Sequence, residues 1–235
     1  MVVVGIYDRC ISILFSLAGS NMDSGIYLTD DGFIATAYHV IEGMLSTWEY
    51  INPRTVPSKI LQAAYAMDSH GLKHPLDTTF CYFDEESDLA IIRAIKPDRP
   101  ATKQLTFGNR TDTAVFVAPN NIKEEGFDLA VQAGNVIRQD EKFYWVNVRS
   151  VPGNSGSPYF TTDGSVLGIH LGVNILNNMA YAAPSSKLAE LIEDAAKSLA
   201  EAYQKETGYN PLSRYYLPSY IPDMQRAQKL AKILA

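Results

Sequence analysis

Residues Pro152-Gly153-Asn154-Ser155-Gly156-Ser157-Pro158 form a tight, glycine-punctuated turn, and after an Asp163-Gly164 turn the chain runs on as VLGIHLG (166–172). A serine nucleophile needs an exposed hydroxyl on a sharp backbone turn, and glycines permit that turn. It also needs backbone N–H groups converging where an oxyanion will form. The amides of Gly153 and Ser155, with Asn154 between them, are placed for that task. Alone, the segment is equally an ordinary Gly-Asn-Ser turn.

Two further segments bear on it. Thr36-Ala37-Tyr38-His39-Val40-Ile41 puts a histidine at the end of an apolar strand, at the rim of a core where a general base must stand. Ser87-Asp88-Leu89-Ala90-Ile91-Ile92 puts an acid directly before another apolar strand, where burial can hold it against an imidazole N–H. The charge run Asp84-Glu85-Glu86 beside it reads as a solvated loop. The order His39, Asp88, Ser155, with gaps of 49 and 67 residues, suits base and orienter on one unit and nucleophile on a second.

The rest of the chain agrees with two such units. Its 235 residues are 46% hydrophobic and 20% charged, enough to bury large cores and too apolar for a disordered or fibrous chain. Up to about residue 183, short apolar runs alternate with turn signals. They predict strands at Ile11–Leu17, Gly25–Thr29, Phe33–Ala37, Lys59–Met67, Thr78–Phe83 and Leu89–Ile95. After a turn-rich stretch (95–104) come Thr113–Ala118, Phe127–Ile137, Phe143–Val148, Pro158–Thr161, Val166–Leu171 and Met179–Ala183. The expected fold is all-β, two packed six-stranded barrels with a C-terminal helical extension. The expected domains are 1–98 with His39 and Asp88, 99–184 with Ser155, and 185–235. In the last, Ser185-Ser186 caps a helix that ends at Gly208. A Tyr/Pro-rich strap (209–222) and a helix over Asp223–Leu234 follow, to pack on the barrels or to dock a regulatory partner.

Twenty Lys and Arg against 26 Asp and Glu give a net charge of −6, which argues against nucleic acid as a partner. No apolar run reaches the ~18 residues of a membrane span. Cys10 and Cys81 have no metal-ligand spacing and are expected as two separate thiols. His70 and His74 share a polar HGLKH loop, so neither a metal nor a cofactor is expected. Arg9–Ser20 has the makings of a short signal peptide, yet Ile11, Ile13, Phe15 and Leu17 alternate with polar residues as a strand does. The expectation is therefore a cytoplasmic protein, or one acting in a host cell if the gene is viral.

With these residues in view, the sequence resembles the trypsin-like (chymotrypsin-fold) serine peptidases. SGIYLTDDGFIATAYHV (24–40), SDLAII (87–92) and GNSGSP (153–158) are similar to the histidine, aspartate and serine segments of HtrA-type proteases. LTFGNRTDTAVFVAP (105–119) and YAAPSSKL (181–188) resemble the opening and end of their second barrel. The resemblance implies two Greek-key barrels and cleavage of protein or peptide substrates. It makes His39 the general base, Asp88 its orienter and Ser155 the nucleophile. GNSGSP departs from their GNSGGP and is closer to staphylococcal glutamyl endopeptidase. In those enzymes, and in chymotrypsin-like proteases of positive-strand RNA viruses, a hydroxyl and a histidine stand at the positions of Ser150 and His170. There they bind a Glu or Gln side chain. The resemblance thus implies a pocket of Ser150, His170, Leu171 and Gly172 that prefers Glu, with Gln open. Arg149 adds charge or points to solvent. A catalytically silent binding module, and a protease latent until a partner or oligomerisation activates it, are the competing readings.

Overall fold

Alternating burial organises the chain into antiparallel strands, as the apolar alternation of the sequence predicts. A computed structural model describes residues 10–15, 22–29, 31–45, 64–95, 106–108, 112–123, 125–207, 228 and 230–234. The first set of strands is β1 (Cys10–Phe15), β2 (Met22–Tyr27), β3 (Phe33–Ala37), β4 (Ala64–Met67), β5 (Lys73–Asp84) and β6 (Leu89–Ala94). They close into a barrel in the order β1-β2-β3-β6-β5-β4. The second set is β7 (Thr113–Lys123), β8 (Gly126–Gln139), β9 (Tyr144–Val146), β10 (Pro158–Phe160), β11 (Val166–Asn174) and β12 (Met179–Pro184). These close as β10-β11-β12-β9-β8-β7, the same order read from the other end. The expected Greek-key fold class stands.

Two local readings need correction. A short helix, α1 (Tyr38–Leu45), follows β3 directly, where no helix is expected. His74 does not sit in a polar loop: it lies on β5, paired with Ala66 and 4% exposed, whereas His70 stays in an exposed turn. The Cys81 thiol is free, and burial pushes its pKa up to about 12, so it is an inert packing group. The Cys10 side chain, residues 59–63, the 96–104 join and the 209–222 strap lie outside the described residues.

Helix α2 (Ser185–Thr207) begins where predicted, but the Ser185 hydroxyl donates to the Gly108 carbonyl at 2.8 Å and so ties the helix to the second barrel. Its apolar stripe of Leu188, Leu191, Ile192 and Ala195 enters the cluster that contains Ile34 and Ile91 of the first barrel and Ile169 and Leu171 of the second. Leu230 and Ile233, from the last described turn of helix, are buried in the same cluster. That part of the extension packs on its own chain. A separate cluster, including Phe116, Tyr144 and Leu167, fills the second barrel.

Candidate active site

β3 runs buried from Phe33 to Ala37 and delivers His39 into the first turn of α1 at the protein surface. Across the β3–β6 ladder, Ala37 pairs with Leu89, so the turn before β6 brings Asp88 beside His39. The Asp88 carbonyl accepts the Tyr38 N–H at 2.9 Å. Its carboxylate accepts the His39 N–H at 2.9 Å and the imidazole Nδ1 at 2.7 Å. One carboxylate thus fixes both the backbone and the ring of His39. Asp88 has φ of 54°, a left-handed conformation that a short polar side chain tolerates better than most.

The hydrogen bond to Asp88 raises the pKa of His39 above its ordinary value, against the lowering effect of burial; the charges of Asp88, Asp23 and Glu42 add to the rise. The hydrogen bond favours the imidazolium, and it orients the neutral ring with Nδ1 protonated and Nε2 free for the cleft.

The serine segment is two consecutive turns that share Asn154. Asn154 N–H bonds Val151 O at 3.1 Å with Gly153 at φ 94°, and Ser157 N–H bonds Asn154 O at 3.0 Å with Gly156 at φ 86°. Positive φ at the third residue of each is the mark of a type II turn, which is why both glycines are needed. Ser155 then occupies the second position of its turn, with its side chain on the cleft. Among the described residues, the Gly153 and Ser155 N–H groups donate to no acceptor, and no hydrogen bond joins Ser155 Oγ to His39. The first barrel grips this loop: Ser24 N–H donates to Ser155 O at 2.8 Å and the Ser24 hydroxyl to Gly153 O at 2.7 Å. His39, Ser155, Gly153 and Asn154 consequently line one cleft of about 590 Å³.

A second group lies beneath the loop. His170, on β11, is 1% exposed. Ser150 Oγ is 2.7 Å from its Nε2 and the Tyr159 hydroxyl is 3.0 Å from its Nδ1. Desolvation, with the charge of His39 as a lesser cause, pushes the His170 pKa down to about 3, so the ring is neutral at any working pH. Burial raises the Tyr159 pKa, so its hydroxyl keeps its proton. If the Tyr159 hydroxyl donates to Nδ1, the imidazole proton sits on Nε2, facing Ser150; in the other tautomer Nδ1–H donates to Tyr159 and the Ser150 hydroxyl donates to Nε2.

The other expected pocket residues fall differently. Leu171 is buried in the core that joins the barrels, and the β11–β12 register shifts between His170 and Gly172. Gly172 is half-buried near the Tyr181 ring. Arg149 is exposed, its backbone held by the Gln132 side chain. Sequence reasoning missed three residues: Ser24, Tyr159 and Asp23, a half-buried acid at the start of β2 that lines the cleft. Only Tyr159 carried a signal, a hydroxyl in the strand Pro-Tyr-Phe that burial obliges to find a partner.

Comparison with known proteins bears on the family and the fold. Residues 23–169 match the family model described as trypsin-like peptidase domain. The chain is 27% identical over 191 residues to a probable periplasmic serine endoprotease, DegP-like, of Marinomonas sp. (strain MWYL1), covering 76% of this chain and 36% of that one. It is 24% identical over 212 residues to a protein of the same name from Hahella chejuensis (strain KCTC 2396), covering 77% and 40%. The chain therefore spans well under half the length of these relatives. In fold it is similar to the serine endoprotease from Yersinia pestis, with a TM-score of 0.59, 19% identity and coverage of 81% and 63%. It is also similar to the tobacco vein mottling virus protease, with a TM-score of 0.54, 16% identity and coverage of 76% and 77%.

The cytoplasmic expectation is contradicted by these relatives, which are named probable periplasmic proteins. The range matched by the family model, 23–169, includes the histidine, aspartate and serine segments, and the fold is that of the solved neighbours; the chain belongs to the trypsin-like peptidase family.

Proposed function

We propose that this protein is a serine endopeptidase in which His39, Asp88 and Ser155 form the catalytic triad. The observation that carries the reading is the 2.7 Å bond from the His39 ring to Asp88, with His39 and Ser155 lining one cleft. Ser155 Oγ attacks the scissile carbonyl carbon and gives its proton to His39 Nε2. Charge gathers on the carbonyl oxygen, facing the N–H groups of Gly153 and Ser155. The C–N bond then breaks, His39 returns the proton to the departing amine, and water hydrolyses the acyl-enzyme by the same steps reversed. Asp88 holds the ring and stabilises the imidazolium throughout. Residues 1–98 thus supply base and orienter and 99–184 the nucleophile, while the described residues of 185–235 pack in the core shared by both barrels.

The residue before the cut enters the pocket of Ser150 and His170, with the backbone of Leu171 and Gly172 along its side. A hydroxyl and an imidazole N–H suit a carbonyl oxygen, which Glu and Gln both provide. The sequence favours Glu; the neutral state of His170 supports Gln equally, because an amide needs no counter-ion there while a carboxylate does. Matched fluorogenic peptides ending in Glu, Gln, Asp, Leu or Arg test both levels, with Ser155→Ala as control. Cleavage is expected after Glu or Gln and lost in the variant. His170→Ala should cost about 2–5 kcal/mol of that preference. Hydrolysis that survives Ser155→Ala overturns the triad, and best cleavage after Leu or Arg overturns the pocket.

A further inference from the structure

A continuous apolar face leads away from the triad along the outside of the second barrel. On β12, Ala180 and Ala182 point into the barrel core, so Met179 and Tyr181 point out of it. Tyr181 pairs with Trp145 of β9, and the rings of Phe143 and Trp145 stand 5.4 and 5.6 Å from its own. All four of these side chains are half-buried. Beyond Met179 the β11–β12 turn carries Ile175 and Leu176, which are 95% and 96% exposed.

This face is held in shape at both ends. Asp140 accepts the Trp145 indole N–H at 2.9 Å and the backbone N–H groups of Lys142 and Phe143, which fixes the aromatic cluster by its polar edge. At the tip, Asn174 Oδ1 accepts the Leu176 N–H at 2.9 Å and Asn177 Oδ1 the Met179 N–H at 3.1 Å; the Asn174 carbonyl accepts the Asn178 N–H at 2.8 Å. The asparagines satisfy the backbone of the turn and leave two aliphatic side chains in water. Such a pair on an ordered turn is unfavourable in the free protein and gains only on contact, with little ordering left to do.

The face also reaches the reaction centre. The Tyr181 ring lies across the bare Cα of Gly172, where a Cβ would stand 3.1 Å from its hydroxyl. Burial and, as a lesser cause, the charge of Asp88 raise the Tyr181 pKa, which places the ring within the field of that carboxylate. Beside Phe143, Lys142 bonds Glu86 at 3.1 Å, on the loop that leads to Asp88. On the peptidase reading given above, the polymer held at Ser155 is the molecule placed to cover this face. An anionic lipid surface is disfavoured, because the tip from Asn174 to Asn178 has no charged residue and the chain carries −6.

We infer that this face is a docking surface for the substrate, taking an aromatic or aliphatic cluster several residues from the scissile bond, with Ile175 and Leu176 as its outer anchor. Substrates are then selected by an apolar flank as well as by the residue at the cut.

The test uses internally quenched peptides that share the best residue before the cut. They carry Leu-Phe-Leu or Ser-Gly-Ser about three to six residues away, N-terminal to the cut in one pair and C-terminal in the other. Labelled copies are titrated against Ser155→Ala by fluorescence anisotropy. In one pair the apolar peptide should show about tenfold higher kcat/KM, mainly through KM, and about tenfold tighter binding. Sodium sulfate should widen both ratios, as for an apolar contact. Ile175→Asp with Leu176→Asp, at side chains already in water, should keep the melting temperature, cut both ratios to about twofold and leave cleavage of the Ser-Gly-Ser peptides unchanged. Ratios near one in both pairs overturn the inference, and so do ratios that survive the double substitution. So does a wild type without such ratios that is dimeric by light scattering and monomeric in the double variant, since the face would then join two copies. A wild type that turns over no peptide and whose Ser155 resists a fluorophosphonate, while Ser155→Ala keeps the binding ratio, overturns the peptidase reading instead of the docking surface.

Discussion

Gly156→Ala is the sharpest test of how the nucleophile is held. Gly156 has φ of 86°, and a Cβ built there would stand 2.0 Å from Ser24 O and 2.4 Å from Thr36 Oγ1. Real Cβ contacts stay beyond 3.0 Å, so Ser24 and the serine loop must part by about 1 Å. Neither side yields cheaply. Ser24 O is already bonded to Thr36, and Ser24 itself clamps Ser155 O and Gly153 O, so retreat breaks the bonds that position the nucleophile. The left-handed backbone adds about 1–2 kcal/mol for alanine, and overpacking about 1–3 kcal/mol. A combined loss of about 2–5 kcal/mol lowers the melting temperature of a domain this size by roughly 4–20 °C.

The effect on rate should be larger than that on binding. A displacement of about 1 Å between reacting groups costs on the order of a hundredfold. We expect kcat on the best peptide to fall by about that factor with little change in KM. Gly164→Ala is the control: it shares the positive φ, 90°, on the Asp163-Gly164 turn away from the cleft, and should destabilise without slowing catalysis. Gly156→Ala with a rate within about fivefold of wild type and an unchanged melting temperature would refute the clamp.

Two further outcomes follow from the same contacts. In the wild type the rate should fall on the acid side through a His39 pKa above the ordinary value, since only the neutral ring accepts the Ser155 proton. Asp88→Asn removes the largest cause of that rise, so the acid limb of the pH profile should move to lower pH while the plateau falls by about 10³–10⁴; an unmoved limb would show that Asp88 does not set the base. Leu230→Ala, at a residue that is 0% exposed, should cost about 2–5 kcal/mol in urea unfolding, and a loss near zero would detach the last helix from the core.

The sequence reveals most where chemistry constrains the backbone. The Gly153 and Gly156 turns, the acid before β6 and the histidine after β3 each need a particular residue type at a particular place, so they can be read from local rules. What escapes is set by tertiary contact. Helix α1 spans eight residues straight after a strand, too short for its period to stand out. His74 looks like a loop residue because its neighbours are Gly and Lys, yet pairing with Ala66 carries it into the sheet. The tip of the β7–β8 hairpin, Pro119 to Lys123, is polar enough to pass for a turn, although the ladder resumes at Lys123 opposite Gly126 after a register shift. Asp23 has no local mark at all; only the approach of the second barrel makes it part of a cleft.

The same distinction explains why the site needs both barrels. Each barrel closes its own hydrogen-bond ladder, yet neither contains a complete reaction centre. His39 and Asp88 are held by β3 and the turn before β6, and Ser155 by the loop that leads into β10. The relation between the two groups is carried by Ser24, by the bare Cα of Gly156 against it, and by the apolar cluster that α2 helps to seal. Within the second barrel the cluster around Phe116 and Leu167 is separate from that seam. That inner core meets the candidate pocket through Phe116 and Tyr159, whose rings pack on His170. The interior of the first barrel belongs to the seam cluster itself, with Ile34 and Ile91 packed in one core with Ile169 and Leu171, so its packing bears directly on how the two halves of the site meet.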